Sequence, residues 1–241
     1  MADQRRRELL ALTAAAVVAV PAARAALVKG GPPWTPTDAA PPPQEGGPGW
    51  RYFTDGEGAI VEAMVDRFIP PDPETPGGKD CGCAVFIDRQ LAGSYGRADD
   101  IYAGGPFQHG TKEQGDQSSL TPAAQYRVGL AALDQYCKAQ FSGAGFSRLA
   151  GDKQDTVLKG LEDGSVMLRG VDSKTFFHDM LIDTQQGFFA DPVYGGNRDM
   201  ASWKMIGFPG ARYDYRDWVH RHNERYPLPP ISIREHPNWK G

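Results

Sequence analysis

Residues 54–71 read TDGEGAIVEAMVDRFIPP, a helix with its start, its buried face and its stop in one stretch. Thr54 and Glu57 have the spacing at which a hydroxyl accepts the N–H three residues on while the carboxylate reaches back to the capping residue. Ile60, Val61, Met64, Val65, Phe68 and Ile69 recur at the three-and-four spacing of one helical face. Pro70 and Pro71 lack the N–H that another turn would need. The same grammar recurs downstream. Residues 83–91 read as a short helix with Phe86, Ile87 and Leu91 inward. Thr121 and Pro122 open a longer one, with Tyr126, Leu130, Leu133, Cys137 and Phe141 on its stripe. Asp152 begins a fourth, with Val157, Leu158 and Leu161 inward and Gly164 as its stop. Asp172 and Ser173 begin a fifth, whose face carries Phe176, Phe177, Met180, Leu181, Thr184 and Phe188, and Asp191-Pro192 ends it.

Shorter helices are expected near residues 199–206 and 213–219. Between 92 and 120 glycines are frequent and periodicity is weak, which predicts a long loop, functional or ordered by a partner. No run of alternating strands and no internal repeat is present. The expected fold is therefore all-α: a small helical domain over residues 51–225, with long Gly/Pro-rich loops and extended N- and C-terminal arms. The C-terminal arm is residues 226–241, which hold four prolines.

The first 25 residues read as an export signal rather than as fold. Arg5, Arg6 and Arg7 precede an apolar run from Leu9 to Val20, and Ala23 and Ala25 supply a small-x-small end. Arg6 and Arg7 followed by Leu9 and Leu10 fit a twin-arginine (Tat) signal; the other reading is a basic amphipathic start that stays attached. Residues 26–50, with seven prolines and five glycines, predict a disordered arm, either wrapping a partner or serving as a tether.

With 40% hydrophobic and 23% charged residues a packed body is expected, while 29 glycines and 20 prolines require long loops. No apolar run reaches the roughly 20 residues of a membrane span. A net charge of −4 argues against a general nucleic-acid binder. No dinucleotide or phosphate-loop motif appears, and no nucleophile elbow. Gly195-Gly196-Asn197 reads as turn chemistry. Of five histidines only His178 lies in an expected helix, and no second histidine follows at i+4. No catalytic, cofactor-binding or metal-binding residue is assigned. The three cysteines leave three readings: a Cys83–Cys137 disulfide in an oxidising compartment, a bridge from Cys137 to a partner chain, or plain buried thiols.

Residues 187–211 crowd Phe188, Phe189, Tyr194, Trp203 and Phe208 onto Gly/Pro-shaped loops, followed by Tyr213. Aromatics held this way either anchor an interface or cap a small core. This segment, the Arg6-Arg7 start, the run VFIDRQLAG at 85–93, and the stretches 213–216 and 221–230 resemble the small subunit (subunit 3) of gluconate 2-dehydrogenase-type enzymes, over residues 54–232. The resemblance implies an accessory, non-catalytic subunit. FAD would belong to a large subunit of the glucose–methanol–choline type, and haem c to a multihaem cytochrome subunit. The small chain would escort the large one through the Tat translocon to the periplasm. Tyr194, Asn197, Arg198, Trp203, Phe208 and Tyr213 are then the expected partner contacts, with Trp203 and Phe208 as anchors. The competing readings are an independent periplasmic binding protein without redox role and a free-standing periplasmic enzyme.

Overall fold

A computed structural model describes residues 49–233, apart from 101–103, 109, 112, 113, 115–117 and 213. All of these lie in the compact unit Thr35–Gly241, so the signal and most of the arm fall outside the described residues. Seven α-helices are described: α1 Asp55–Phe68, α2 Cys83–Ala92, α3 Ser94–Arg97, α4 Pro122–Gln140, α5 Gly151–Asp163, α6 Ser173–Phe189 and α7 Ala201–Ile206. Among the described residues there is no strand beyond one isolated bridge, between Gly210 and Ile231. None of the described helices is long and apolar enough to cross a membrane.

The local signals act as their chemistry requires. Thr54 Oγ1 accepts from Glu57 N at 3.3 Å and Glu57 Oε2 accepts from Thr54 N at 2.9 Å, closing the capping box. Thr121 and Asp172 cap α4 and α6 with one side-chain bond each, accepting from Ala124 N and Thr175 N. Gly164, at φ 85°, ends α5 in the left-handed conformation that a side chain resists. Helix α5 starts at Gly151, one residue before the expected Asp152, without a side-chain cap.

The expected 92–120 loop contains one more element, the single turn α3. It places Tyr95 over the core. Around 213–219 only a 3₁₀ turn forms, Arg216–Trp218. Trp50, read as part of the arm, belongs to the folded body: its ring meets Phe53 edge-on at 5.8 Å.

Helix α6 is the hub, touching α1, α2, α4, α5 and α7. Val61, Met64, Val65, Ile87, Leu91, Leu130, Leu133, Leu161 and Met180 are fully or almost fully buried around it. Phe177 lies at the edge, edge-on to Phe68 at 5.4 Å. Arg67 of α1 makes a two-pronged pair with Asp155 of α5, both bonds 2.7 Å. The pair is partly exposed, so it adds less than about 1 kcal/mol.

Two carboxylates on the inner faces have no counterpart in the hydrophobic pattern. Asp88 of α2 is wholly buried and accepts from the backbone N–H groups of Arg51, Tyr52 and Phe53 at 2.8 to 2.9 Å, while pairing with Arg89. It fastens the chain leading into α1. Asp183 of α6 accepts from the Tyr126 hydroxyl at 2.5 Å and the Tyr95 hydroxyl at 3.3 Å, both on Oδ2. Burial raises the Asp183 carboxyl above the usual carboxylate range, although both phenols favour the ionised form. Burial and then the Asp183 charge push the Tyr126 hydroxyl well up.

A carboxyl raised by burial favours the native state while protonated. That advantage is complete below its ordinary value of 3.8 and is lost as pH rises through the raised native value. Asp183→Asn keeps one acceptor and removes the titration. The variant should equal or exceed the wild type in stability at pH 7, and the comparison should shift toward the wild type on acidification to pH 4. Asp183→Ala should lose about 2–3 kcal/mol at pH 7, because a buried phenol loses its acceptor. Urea unfolding midpoints across this pH range check both.

Candidate partner interface

The aromatic segment is built on the end of α6. A Cβ at Gly196 would lie 2.1 Å from the Gly187 carbonyl oxygen, so the loop crosses the helix at a distance that only glycine allows. Asn197 then turns the chain at φ 43° and is fully buried. Its Nδ2 donates to the Ala190 carbonyl at 2.9 Å, and its Oδ1 accepts from Ser202 N at 3.0 Å and Ser202 Oγ at 2.7 Å. Asp199 and Met200 are also left-handed, at φ 57° and 54°. Such residues persist only where the surroundings hold them. Here Met200 is buried, and Arg198 N donates to the Cys81 carbonyl at 3.0 Å.

Asp191 joins this segment to the C-terminal tail. Its Oδ1 accepts from Val193 N at 3.0 Å and Ser232 Oγ at 2.5 Å, and its Oδ2 from Ile233 N at 2.7 Å. The bridge between Gly210 and Ile231 runs alongside, and Arg212 donates to the Pro229 carbonyl at 2.5 Å. The expected extended tail is thus pinned to the body as far as residue 233.

The predicted contact residues divide. Tyr194 and Phe208 are 48% and 43% exposed, and Arg198 is at the surface. Trp203 and Asn197 are instead buried within the chain, so neither offers the free side chain that the expectation pictured. Trp203 is only 5% exposed, with its indole N–H donating to the Phe189 carbonyl at 2.9 Å and Phe208 edge-on at 5.1 Å. Every polar atom of these two side chains is used inside the chain, so both cap the core. Tyr213, Arg6 and Arg7 lie outside the described residues.

Exposed apolar side chains are concentrated in and near this segment, beside the exposed charges of Arg198, Asp199 and Lys204. Phe189, Tyr194, Met205, Ile206, Phe208, Val219 and Ile233 are exposed, against only Phe107 and Met167 elsewhere among the described residues. Apolar groups concentrated in one segment and held on rigid loops mark an interaction surface. Alongside runs a groove of about 300 Å³ between α7 and residues 225–230. The sequence reading missed Asp191. Its only local signal was the Asp-Pro helix stop, and its partners lie about forty residues downstream.

Within the chain no Cys83–Cys137 disulfide is formed, and the reading of a bridge from Cys137 to a partner chain is left as it stood. Cys81, Cys83 and Cys137 are all free and buried. The ionisable neighbour of Cys83 is Cys81, whereas that of Cys137 is Asp134, so the two candidates sit in different surroundings. Burial pushes the thiols up to about 11 at Cys81 and about 12 at the other two. Among the described residues no group of three or more His, Cys, Asp or Glu could hold a metal ion.

The profile of the family described as Gluconate 2-dehydrogenase subunit 3 matches residues 55–210. No curated protein and no solved structure matches the chain. The matched span runs from the first residue of α1 to the Gly210 bridge. It therefore includes the buried Asn197–Ser202 and Trp203 contacts and most of the exposed apolar side chains.

Two measurements separate cap from contact. Trp203→Ala should destabilise the isolated chain by about 3 kcal/mol in urea unfolding, whereas Tyr194→Ala should change it by less than about 1 kcal/mol. For the thiols, a thiol reagent at pH 7 should label none of the three rapidly in the folded chain and all three in denaturant.

Proposed function

The chain belongs to the gluconate 2-dehydrogenase subunit 3 family, and from that premise we propose that it is the non-catalytic small subunit of a periplasmic flavin dehydrogenase complex. In this reading a large subunit of the glucose–methanol–choline type binds FAD and oxidises a sugar or sugar acid. A multihaem cytochrome c subunit passes the electrons on. The small subunit covers part of the large one and carries it through the Tat pathway on its own Arg6-Arg7 signal.

The single observation that carries the proposal is the family match over residues 55–210. The exposed apolar face supports it physically. Phe189 ends α6, Met205 and Ile206 end α7, and Tyr194 and Phe208 stand on the connecting segment that Asn197 and Asp191 fix. A partner that covers them gains contact area without having to order the loops first. Individual aromatic anchors at the centre of such a face contribute on the order of 2 kcal/mol. The chemistry of the complex lies in the partner subunits, and the role of this chain is recognition and transport.

Replacing Arg6 and Arg7 together with lysine should leave both this chain and the flavin subunit in the cytoplasmic fraction. Fractionation with FAD-linked dehydrogenase activity as the readout checks it. Undiminished periplasmic activity in the double variant would exclude the escort role.

A further inference from the structure

The groove beside α7 has a composition that specifies what it can hold. Phe208 and Tyr226 contribute aromatic surface over the largely buried Trp203 at the base, and residues 227–230 form the opposite wall as Pro-Leu-Pro-Pro. Three of those four residues have no N–H, so the wall cannot pair with an added strand and recognises side chains instead. At about 300 Å³ the groove is at the small end of ligand pockets, room for one or two side chains and too small for a dinucleotide.

Its charge is one-sided. Lys204 and Arg225 line it, and no acidic residue does. Neither cation forms an ion pair among the described residues, whereas nearby Arg216 pairs with Asp214 and Arg221 approaches Glu224. In a chain of net charge −4 this is a cationic spot set against an apolar wall. The wall is also fixed in place. Arg212 holds the Pro229 carbonyl and lies over the Tyr226 ring at 5.3 Å. Trp218 meets Tyr226 edge-on at 5.0 Å, and Asp191 anchors Ser232 and Ile233.

We propose that this groove seats a short acidic segment of the flavin-bearing subunit. An apolar side chain of that segment enters between the aromatic residues and the proline wall. A neighbouring Asp or Glu carboxylate pairs with Lys204 and Arg225. The proposal rests on the small-subunit reading and adds to it a defined contact and the chemistry of the partner segment.

The test uses the complex of the full chain with its flavin subunit, treated with a zero-length carbodiimide that joins a lysine amine only to a carboxylate in direct contact. Peptide mass spectrometry should find Lys204 joined to an Asp or Glu of the flavin subunit. In a separate binding measurement, Lys204→Glu combined with Arg225→Glu should weaken assembly about tenfold or more at 0.1 M salt. The variant should also lose most of the salt dependence seen for the wild type. Both side chains are exposed, so thermal unfolding of the isolated variant should match the wild type. If the complex forms but Lys204 couples only within this chain, to a second copy of it, or to nothing, the groove proposal is overturned and the small-subunit reading stands. The same holds if the double variant assembles like the wild type. If the wild-type chain and the flavin subunit do not associate at all, the small-subunit reading falls and the groove proposal falls with it.

Discussion

The Asp183 carboxylate sits where α3, α4 and α6 meet, and the arrangement of the helices depends on it. A carboxyl group in an apolar interior is tolerated only with partners. Its two partners, the Tyr126 and Tyr95 hydroxyls, come from different helices. Tyr126 can reach it only if α4 lies at one height against α6. Tyr95 can reach it only because the single turn α3 forms directly after α2. Interdigitated apolar side chains already resist sliding, and the shared carboxylate adds a directional constraint that fixes which turn faces which. Asp88 and Asp191 do for the two ends of the described span what Asp183 does for the middle. One takes three backbone N–H groups before α1, and the other takes a hydroxyl and a backbone N–H from the tail.

These three acids also mark where the sequence became hard to read. Helix α1 was legible almost to the residue, because the Thr54 cap, the apolar period and the proline stop are all local. The ends of α4 and α6 were legible for the same reason. Helix α3 was not, since four residues carry no period and its formation rests on Gly96 fitting against the backbone of Leu91. Asp88 and Asp183 are polar letters on apolar faces, which a periodicity argument discounts. The pairing of Asp191 with Ser232 joins residues with nothing between them to announce it. The exposed Tyr194 and the buried Trp203 looked alike because both are aromatics in a Gly-rich stretch. What separates them is whether a backbone carbonyl waits for the polar atom, and only the fold supplies the Phe189 carbonyl.

Within the aromatic segment, burial and exposure are two results of one construction. Asn197 and Trp203 are used up in holding the loop, and in doing so they turn Tyr194, Phe208 and Met205 outward. The left-handed residues around position 199 store local strain that the packing of Met200 offsets. A loop held this firmly presents the same shape before and after a partner arrives. The outward shape of the segment is therefore a property of the folded chain itself.

The Asp191 contact carries a consequence for synthesis. A chain is made from its N-terminus, so all the described helices are complete before Ser232 and Ile233 exist. Until Ile231, Ser232 and Ile233 appear, Asp191 has only the Val193 N–H, the Gly210 bridge has no second side, and the proline wall is held only through Arg212. The docking groove therefore becomes whole only when almost the entire chain has been translated. A product truncated before residue 231 could fold its helical core and still lack a finished surface to offer. Recognition by a partner would then double as proofreading, with length checked through shape.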